Sequence, residues 1–337
     1  MLTRDLDFVY PESLIATAKS YPPRVMYVGA DHQPTEITFA QLLGRIPAGD
    51  VLVVNDTKVV KRRVFAGDLE ILFLNPLNDL EWQVLFPAKN LKIGDQIQMP
   101  MGVTAQLVEK GRPQKLKVSR ALTEQDFEKF GELPLPPYIQ KARGARHNQV
   151  EDHDWYQTRW AEKNGSLASP TASLHFRAGD LETLQQRGVI VKRLTLHVGL
   201  GTFLPLTAAT LDEHQMHAET VTVPKDTWAA IESAHAHGRG VWALGTTVAR
   251  SIESVARGLL RETTESYSGE TKLFLRPGHG DWLRVNRLMT NFHQPQSTLL
   301  ALVASFHSLE SVKLCYQWAI QKSFKLFSYG DFSVWTR

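Results

Sequence analysis

His214-Gln-Met-His217-Ala-Glu219 sets two imidazoles and a carboxylate within six residues. Histidine is the side chain whose ordinary pKa, about 6.5, lets it take up or lose a proton near neutrality. If the segment is helical, positions three apart share a face and both rings can meet one ligand. Zinc would need a third arm, for which His197 or His293 is available. The metalloprotease spacing of two histidines four apart around a glutamate is, however, absent. The same residues suit acid–base work, contact with a substrate, or a purely structural role. On this segment alone the alternatives stay open.

Four further segments place polar residues directly after apolar runs. Leu196-His-Val-Gly-Leu-Gly-Thr-Phe203 leads a strand into Gly199 and Gly201, with Thr202 beside them. Glycines at such a corner let backbone N–H groups approach a ligand. The third glycine of a dinucleotide-binding turn is missing, since Leu204 and Pro205 follow, so a Rossmann cofactor site is not expected. Gly245-Thr246-Thr247 joins a strand to a helix and offers free helix-start N–H groups and two hydroxyls. Arg250 and Glu253, three apart, are expected to pair with each other or to reach a ligand. Asn55-Asp56-Thr57 and Asn291-Phe-His293 also follow strands. Ligands of open α/β sheets gather beyond the carboxyl ends of the strands. If these strands run parallel, the four corners share one rim.

The stretch Gly165–Phe176, GSLASPTASLHF, differs in kind. It is too small-sided for a core helix and too broken by Pro170 for a central strand. Its small residues, through Pro170 and Thr171, suit a wall that a flat ligand approaches closely. His175 and Phe176 put an imidazole and a ring at its end.

The elements that must position these residues follow from the apolar rhythm. A short helix is expected at residues 11–18, then a buried strand at 50–54 ending in the Asn55 corner. Residues 64–118 alternate in short runs (64–65, 69–74, 82–86, 96–99, 103–108 and 115–118) broken by Gly, Asn or Pro, the pattern of a small antiparallel barrel or sandwich. Thr123 caps a helix from Glu124, and Leu133-Pro-Leu-Pro-Pro-Tyr-Ile reads as an extended connector. From residue 178 strands and helices alternate. Asp180, Gly245 and Ser297 mark helix starts, and strands are expected at 189–198, 241–244, 273–275 and 288–290. Such alternation implies an α/β sheet. The simplest assembly is a discontinuous α/β sandwich domain, residues 1–62 and 150–337, with an inserted small β-barrel domain at 63–149.

Composition bounds the rest. At 337 residues the chain can hold about two domains. The net charge of +3 is too small to argue for nucleic acid by itself. Local basic clusters at Lys58, Lys61, Arg62 and Arg63, at 110–120 and at Lys141, Arg143 and Arg146 border the expected insert, where a phosphate backbone could lie. The lone cysteine, Cys315, excludes an intramolecular disulfide and reads as a small core residue. No apolar run approaches the ~20 residues of a membrane span, so the chain is expected to be soluble and cytoplasmic.

Taken in order, Asn55-Asp-Thr-Lys-Val59, Leu133-Pro-Leu-Pro-Pro-Tyr-Ile, Tyr156-Gln-Thr, GSLASPTASLHF, Leu196–Phe203, His214–Glu219, Gly245-Thr-Thr, Thr290-Asn-Phe-His with Gln296-Ser-Thr-Leu-Leu, and Phe327-Ser-Tyr-Gly-Asp331 resemble the S-adenosylmethionine:tRNA ribosyltransferase-isomerases of queuosine biosynthesis. The match runs from about Asp5 to Asp331. The resemblance implies an α/β sandwich with an inserted β-barrel, tRNA and S-adenosylmethionine as substrates, and neither metal nor nucleotide cofactor. It also implies transfer of the ribosyl part of S-adenosylmethionine onto a 7-aminomethyl-7-deazaguanine wobble base. Isomerisation then gives epoxyqueuosine, and adenine and methionine leave. A monomer is expected, with a homodimer as the alternative.

That chemistry needs groups that titrate near neutrality, because a base must remove a proton beside the sulfonium and the attacking amine must be neutral. His175, His197, His214, His217 and His293 lie in the matching segments, with Glu219 or Asp56 as carboxylate. Tyr138, Phe176, Phe203 and Phe292 offer rings to a sulfonium. The chain departs from the family's pattern at Ser169 (usually Ala), Ser173 (usually Gly), Val248 (usually Ser) and Lys61-Arg62-Arg63 (usually Pro-Ala-Arg), and Tyr21-Pro-Pro-Arg-Val fits poorly. A serine in place of a close-approach glycine can crowd a ligand or forbid a left-handed turn. The alternative reading is therefore a divergent paralogue that binds RNA or acts on another acceptor.

Overall fold

A computed structural model describes residues 1–199, 201 and 206–337 of the chain. Its larger sheet has ten strands. At its centre Ile190–Leu196, Val51–Asn55, Val241–Leu244 and Arg287–Asn291 lie side by side and all parallel. The C-terminal strand Phe332–Thr336 runs antiparallel to Arg287–Asn291 and parallel to Arg24–Val28.

Every residue of Val51–Asn55 is buried, because helices cover both faces of the sheet. Side chains alternate across a strand, so Val51 and Val53 pack with Ile231, Val248 and Ile252 on one side. Leu52 and Val54 pack with Phe39, Leu42, Leu181 and Leu184 on the other. The continuous apolar run at 51–54 is thus a strand buried twice over.

Residues 63–132 supply a second, antiparallel sheet of seven strands with its own core, including Val64, Phe73, Trp82, Leu107, Leu116 and Phe127. All six runs expected there are strands. Leu133, Leu135 and Ile139 instead join Ala16, Val59, Tyr156, Leu174 and Tyr329, so the chain has returned to the first body before residue 149.

Several local expectations are corrected. The helix expected at 11–18 is a single tight turn, Glu12–Leu14. The proline-rich connector turns into helix Pro137–Arg143, since proline is tolerated in a first turn where its missing N–H costs nothing. Asp180 is not the cap of helix Ala178–Gln186; it sits in the first turn and accepts the Arg177 N–H at 2.6 Å. No strand covers 273–275. The strand is the polar run Ser266–Thr271, while Leu273 and Leu275 are core side chains. Among the described residues no single helix is long and apolar enough to cross a membrane.

A buried ion pair ties the segments together. Arg143 forks onto Asp152 at 2.7 and 2.9 Å, with side chains 5% and 0% exposed. Arg143 also donates to the Thr17 carbonyl, and Tyr329 donates to Asp152 at 2.8 Å. Burial alone raises the Asp152 pKa; hydrogen bonds from Arg143, the Gln149 N–H and Tyr329 outweigh it and hold the carboxyl below its ordinary range. Replacing Asp152 by alanine leaves a buried, unpaired guanidinium. The expected loss is about 3–5 kcal/mol in unfolding free energy, read from urea titration. Because the folded pKa is the lower one, the carboxylate's contribution is complete above about pH 4 and is lost as the pH falls through the folded value.

Candidate active site

The four parallel strands end at one edge of the sheet, so their polar corners do share a rim. Leu194 pairs with Asn55 in register, and Leu244 with Met289. The Asn55 side chain is fully buried and bridges the corners. Its Oδ1 accepts the N–H groups of Leu196 and Thr57, both at 3.1 Å, and its Nδ2 donates to the Leu196 carbonyl at 2.9 Å. The same Nδ2 reaches Thr247 Oγ1 at 3.4 Å. Asp56 accepts a hydrogen bond from Thr195 Oγ1 at 2.6 Å.

GSLASPTASLHF crosses this rim from one side to the other. Gly165 lies against the His197 ring, and the Leu167 N–H donates to the Val198 carbonyl at 2.9 Å. Ser166 Oγ accepts the Val198 N–H at 3.0 Å. Ala172 faces Gly245, where φ is +99° and a Cβ would stand 3.8 Å from the Ala172 methyl. His175 then reaches Asn291, which donates to its Nε2 at 2.8 Å and to the Phe327 carbonyl at 3.1 Å. Residues Thr171–His175 form a tight 3-10 turn, begun by the buried Pro170, whose carbonyl accepts the Ser173 N–H at 2.8 Å. Ser173 is not among the residues with positive φ, so no turn here demands glycine.

Gly245 precedes helix Thr246–Ala256, whose first turn has no side-chain cap. Its first-turn N–H groups, uncapped among the described residues, therefore stand at the rim beside buried Thr246 and half-buried Thr247. The expected Arg250–Glu253 pairing is not made. Arg250 instead pairs with Glu219 and donates to the Leu273 carbonyl at 3.1 Å. Glu219 Oε1 in turn accepts the Gly199 N–H at 3.2 Å, which anchors the glycine corner. Glu253 is spent on the N–H groups of Leu283, Arg284 and Val285.

The histidines sort by surroundings. His175 and His293 are buried, and burial pushes each down to about 3; for His175 the nearby Lys19 charge adds to the effect. One ring nitrogen of His293 meets Thr290 Oγ1 at 2.9 Å, and its backbone N–H donates to the Tyr316 hydroxyl at 3.0 Å. His197 is half-buried; burial lowers its pKa and Asp56 partly opposes this. Its Nδ1 lies 2.7 Å from Thr57 Oγ1. His214 and His217 are not on a helix: residues 214–218 are irregular and lead into strand Glu219–Pro224. His214 lies edge-on to Phe274 with a pKa lowered by burial, and exposed His217 packs on Gly201. With Glu219 given to Arg250, the expected cluster of two imidazoles and a carboxylate does not form. Among the described residues no three His, Cys, Asp or Glu side chains converge as a metal site would require.

Other expectations are redirected. Phe176 and Phe292 are core side chains, packed on Phe39 and Phe332 and on Tyr316 and Phe324. Tyr138 bonds to Ser328 and its hydroxyl is pushed up to about 12 by burial. Thr202 and Phe203 lie outside the described residues. Of the basic run, Arg62 is buried on the Phe127 ring (4.2 Å) and paired with Glu124, and Arg63 is buried and bonded to Glu132 and Asn148. Neither faces solvent, so neither can present charge to a phosphate backbone. Lys61 pairs with Glu128 at 2.9 Å, and Lys58 stays exposed. Sequence reasoning missed Lys19, half-buried and held down by burial and by Arg159. It belongs to no motif, and only the fold brings it within electrostatic reach of His175.

Residues 3–334 match the family described as Queuosine biosynthesis protein. The S-adenosylmethionine:tRNA ribosyltransferase-isomerase of Parvibaculum lavamentivorans is 37% identical over 348 aligned positions, covering 98% of both chains. The crystal structure of an S-adenosylmethionine tRNA ribosyltransferase from Thermotoga maritima is 26% identical, covers 98% of this chain and 99% of its own, and superposes with a TM-score of 0.55.

The two buried imidazoles give a pH signature. Folded, they stay neutral down to about 3, whereas the unfolded chain protonates them near 6.5. Their contribution to stability is therefore complete above about pH 6.5 and falls with acidification, by about 1.4 kcal/mol per pH unit for each ring. Unfolding free energies measured as the pH is lowered from about 6.5 to 4.5 should approach that slope, and His175→Gln and His293→Gln should each flatten it. A slope unaltered by both substitutions would refute the burial argument.

Proposed function

The chain belongs to the queuosine biosynthesis protein family, and from that membership we propose that it is an S-adenosylmethionine:tRNA ribosyltransferase-isomerase. It transfers and isomerises the ribosyl moiety of S-adenosylmethionine onto the 7-aminomethyl-7-deazaguanine wobble base of tRNA. The products are epoxyqueuosine in tRNA, adenine and methionine. The observation that carries this reading is likeness over the whole length: 98% of the chain aligns with 98% of a relative bearing that name.

The rim is the place we assign to S-adenosylmethionine. It gathers the half-buried Thr247, the open first turn at Thr246 and the glycine corner at Gly199 and Gly201, beside the crossing segment 165–175. We read the antiparallel sheet of residues 63–132 as an inserted β-barrel domain, in keeping with its separate core; the boundary expected at 149 moves back because Leu133, Leu135 and Ile139 pack with the first body. The RNA backbone would pass Lys58, the one cation of the 58–63 run that is both exposed and without an acidic partner among the described residues. The protein acts in this reading as a cytoplasmic monomer, with S-adenosylmethionine as substrate and no further cofactor.

Purified protein given S-adenosylmethionine and tRNA bearing the aminomethyl-deazaguanine should release adenine as the tRNA gains the epoxycyclopentanediol group, followed by chromatography and nucleoside mass spectrometry. Salt-sensitive tRNA retention without adenine release would instead select the RNA-binding alternative. Adenine release with only some other base as acceptor would select the altered acceptor.

A further inference from the structure

The motif histidines are not equivalent as proton-transfer groups. His175 and His293 are buried, with one ring nitrogen of each taken by Asn291 and Thr290. The rings of His214 and His217 make no hydrogen bond among the described residues, so packing on Phe274 and Gly201 places them but no bond fixes which ring nitrogen carries the proton. His197 alone is both accessible and held.

Three contacts hold it. Its backbone N–H donates to the Thr220 carbonyl at 3.0 Å. Its Nδ1 meets Thr57 Oγ1 at 2.7 Å, the one side chain that bonds the ring among the described residues. The ring also lies flat against Gly165, where φ is +144° and a Cβ would stand 3.1 Å from both Cε1 and Nδ1. Gly165 is the extra residue of a bulge: Asn164 pairs with Lys58 and Ser166 with Val59, while Gly165 has no partner. Bulges re-aim side chains and recur beside active sites. Thr57 is itself fixed, fully buried, by its N–H to Asn55 Oδ1 at 3.1 Å.

We propose that His197 exchanges a proton with the substrate through Nε2, and that Thr57 and Gly165 are positioning residues that hold its ring for that transfer. The proposal rests on the transferase reading above. With Thr57 accepting the Nδ1–H, the neutral ring carries its lone pair on Nε2. In the transfer the bond between the substrate atom and its proton breaks, a proton–Nε2 bond forms, and the electron pair stays on the substrate atom. Return of that proton restores the neutral ring. The charged groups around the ring are Asp56 at the neighbouring corner, Lys163 in register with Thr57, and the Glu219–Arg250 pair.

The test uses the full chain with Thr57→Val, Thr57→Ser and Gly165→Ala, reading adenine release and the His197 ring titration by NMR. Thr57→Val should lower kcat about tenfold or more, up to the ~10²–10⁴-fold that acid–base catalysis contributes in full, while KM for S-adenosylmethionine moves less than about twofold. Thr57→Ser should recover most of it, since the hydroxyl returns. The His197 midpoint should fall in Thr57→Val, because the imidazolium loses an acceptor. Gly165→Ala should follow Thr57→Val, its methyl displacing the ring. An unchanged kcat in folded Thr57→Val, or joint loss of kcat and KM that serine does not rescue, overturns the proposal. If the unaltered protein releases no adenine, the transferase reading fails by itself. The NMR midpoint then still decides the positioning, and an unmoved midpoint in Thr57→Val refutes it.

Discussion

The amide of Asn55 is the interaction on which the rest of the rim depends. Backbone pairing between Val51–Asn55 and Ile190–Leu196 ends in register at Asn55 itself. The side chain then behaves as one more peptide unit, accepting from Leu196 N and Thr57 N and donating to Leu196 O. Only a residue with both an acceptor and a donor on one short planar group can do this. Aspartate lacks the donor and leucine lacks both. Without the amide, buried Leu196 and Thr57 groups would be left unpaired, at about 1–3 kcal/mol each. The geometry it sets is local but reaches far: Leu196 leads into His197, Thr57 meets the His197 ring, and Thr247 ties in the neighbouring strand.

A second constraint is the interior placement of charge. Arg63, Arg143 and Arg250 are all buried and paired with Glu132, Asp152 and Glu219. Arg63–Glu132 and Arg250–Glu219 join segments distant in sequence, and Arg143–Asp152 is local but tied to Thr17 and Tyr329; breaking any of them leaves an uncompensated charge inside the fold. Arginine suits this work because its planar fork bonds carboxylates and carbonyls together, as Arg143 does with Asp152 and Thr17. The consequence for function is subtractive. Cations that look like an RNA surface in the sequence are partly consumed in holding the two sheets to their connecting segments.

What was legible in the sequence follows from this. The run Val51-Leu-Val-Val announced a buried strand because apolar periodicity reports burial directly, and the six short runs of 64–118 were readable for the same reason. The shared rim was legible too, because polar corners after strands follow from parallel topology. Ser266–Thr271 was missed because it is a polar strand with only Thr271 buried, and Leu273 and Leu275 drew attention to core side chains that are not in a strand. The pairing of Arg250 was misread because a partner three residues away competes on paper with Glu219, which only tertiary packing brings near. His214 and His217 were given a helical face that the chain does not adopt, since strand Glu219–Pro224 claims the segment's end. The importance of Gly165 had no sequence signature beyond being a glycine: its partner ring is 32 positions away and meets it only through the bulge.

The serines that depart from the family's pattern can now be weighed physically. A left-handed backbone would make Ser173 costly, but it lies in a 3-10 turn with ordinary φ and its N–H is paired to Pro170. Steric exclusion of the side chain is likewise absent, as Ser173 and Ser169 are both accommodated and buried. What they do carry is polarity: among the described residues neither Oγ has a hydrogen-bond partner, and the same holds for His175 Nδ1 and Asn291 Oδ1 close by. Folded proteins pair nearly all such atoms, so four unpaired ones along the crossing segment and its anchor form an unusual concentration. Serine at these positions therefore changes what the wall can hydrogen-bond without asking the backbone for a conformation that only glycine adopts.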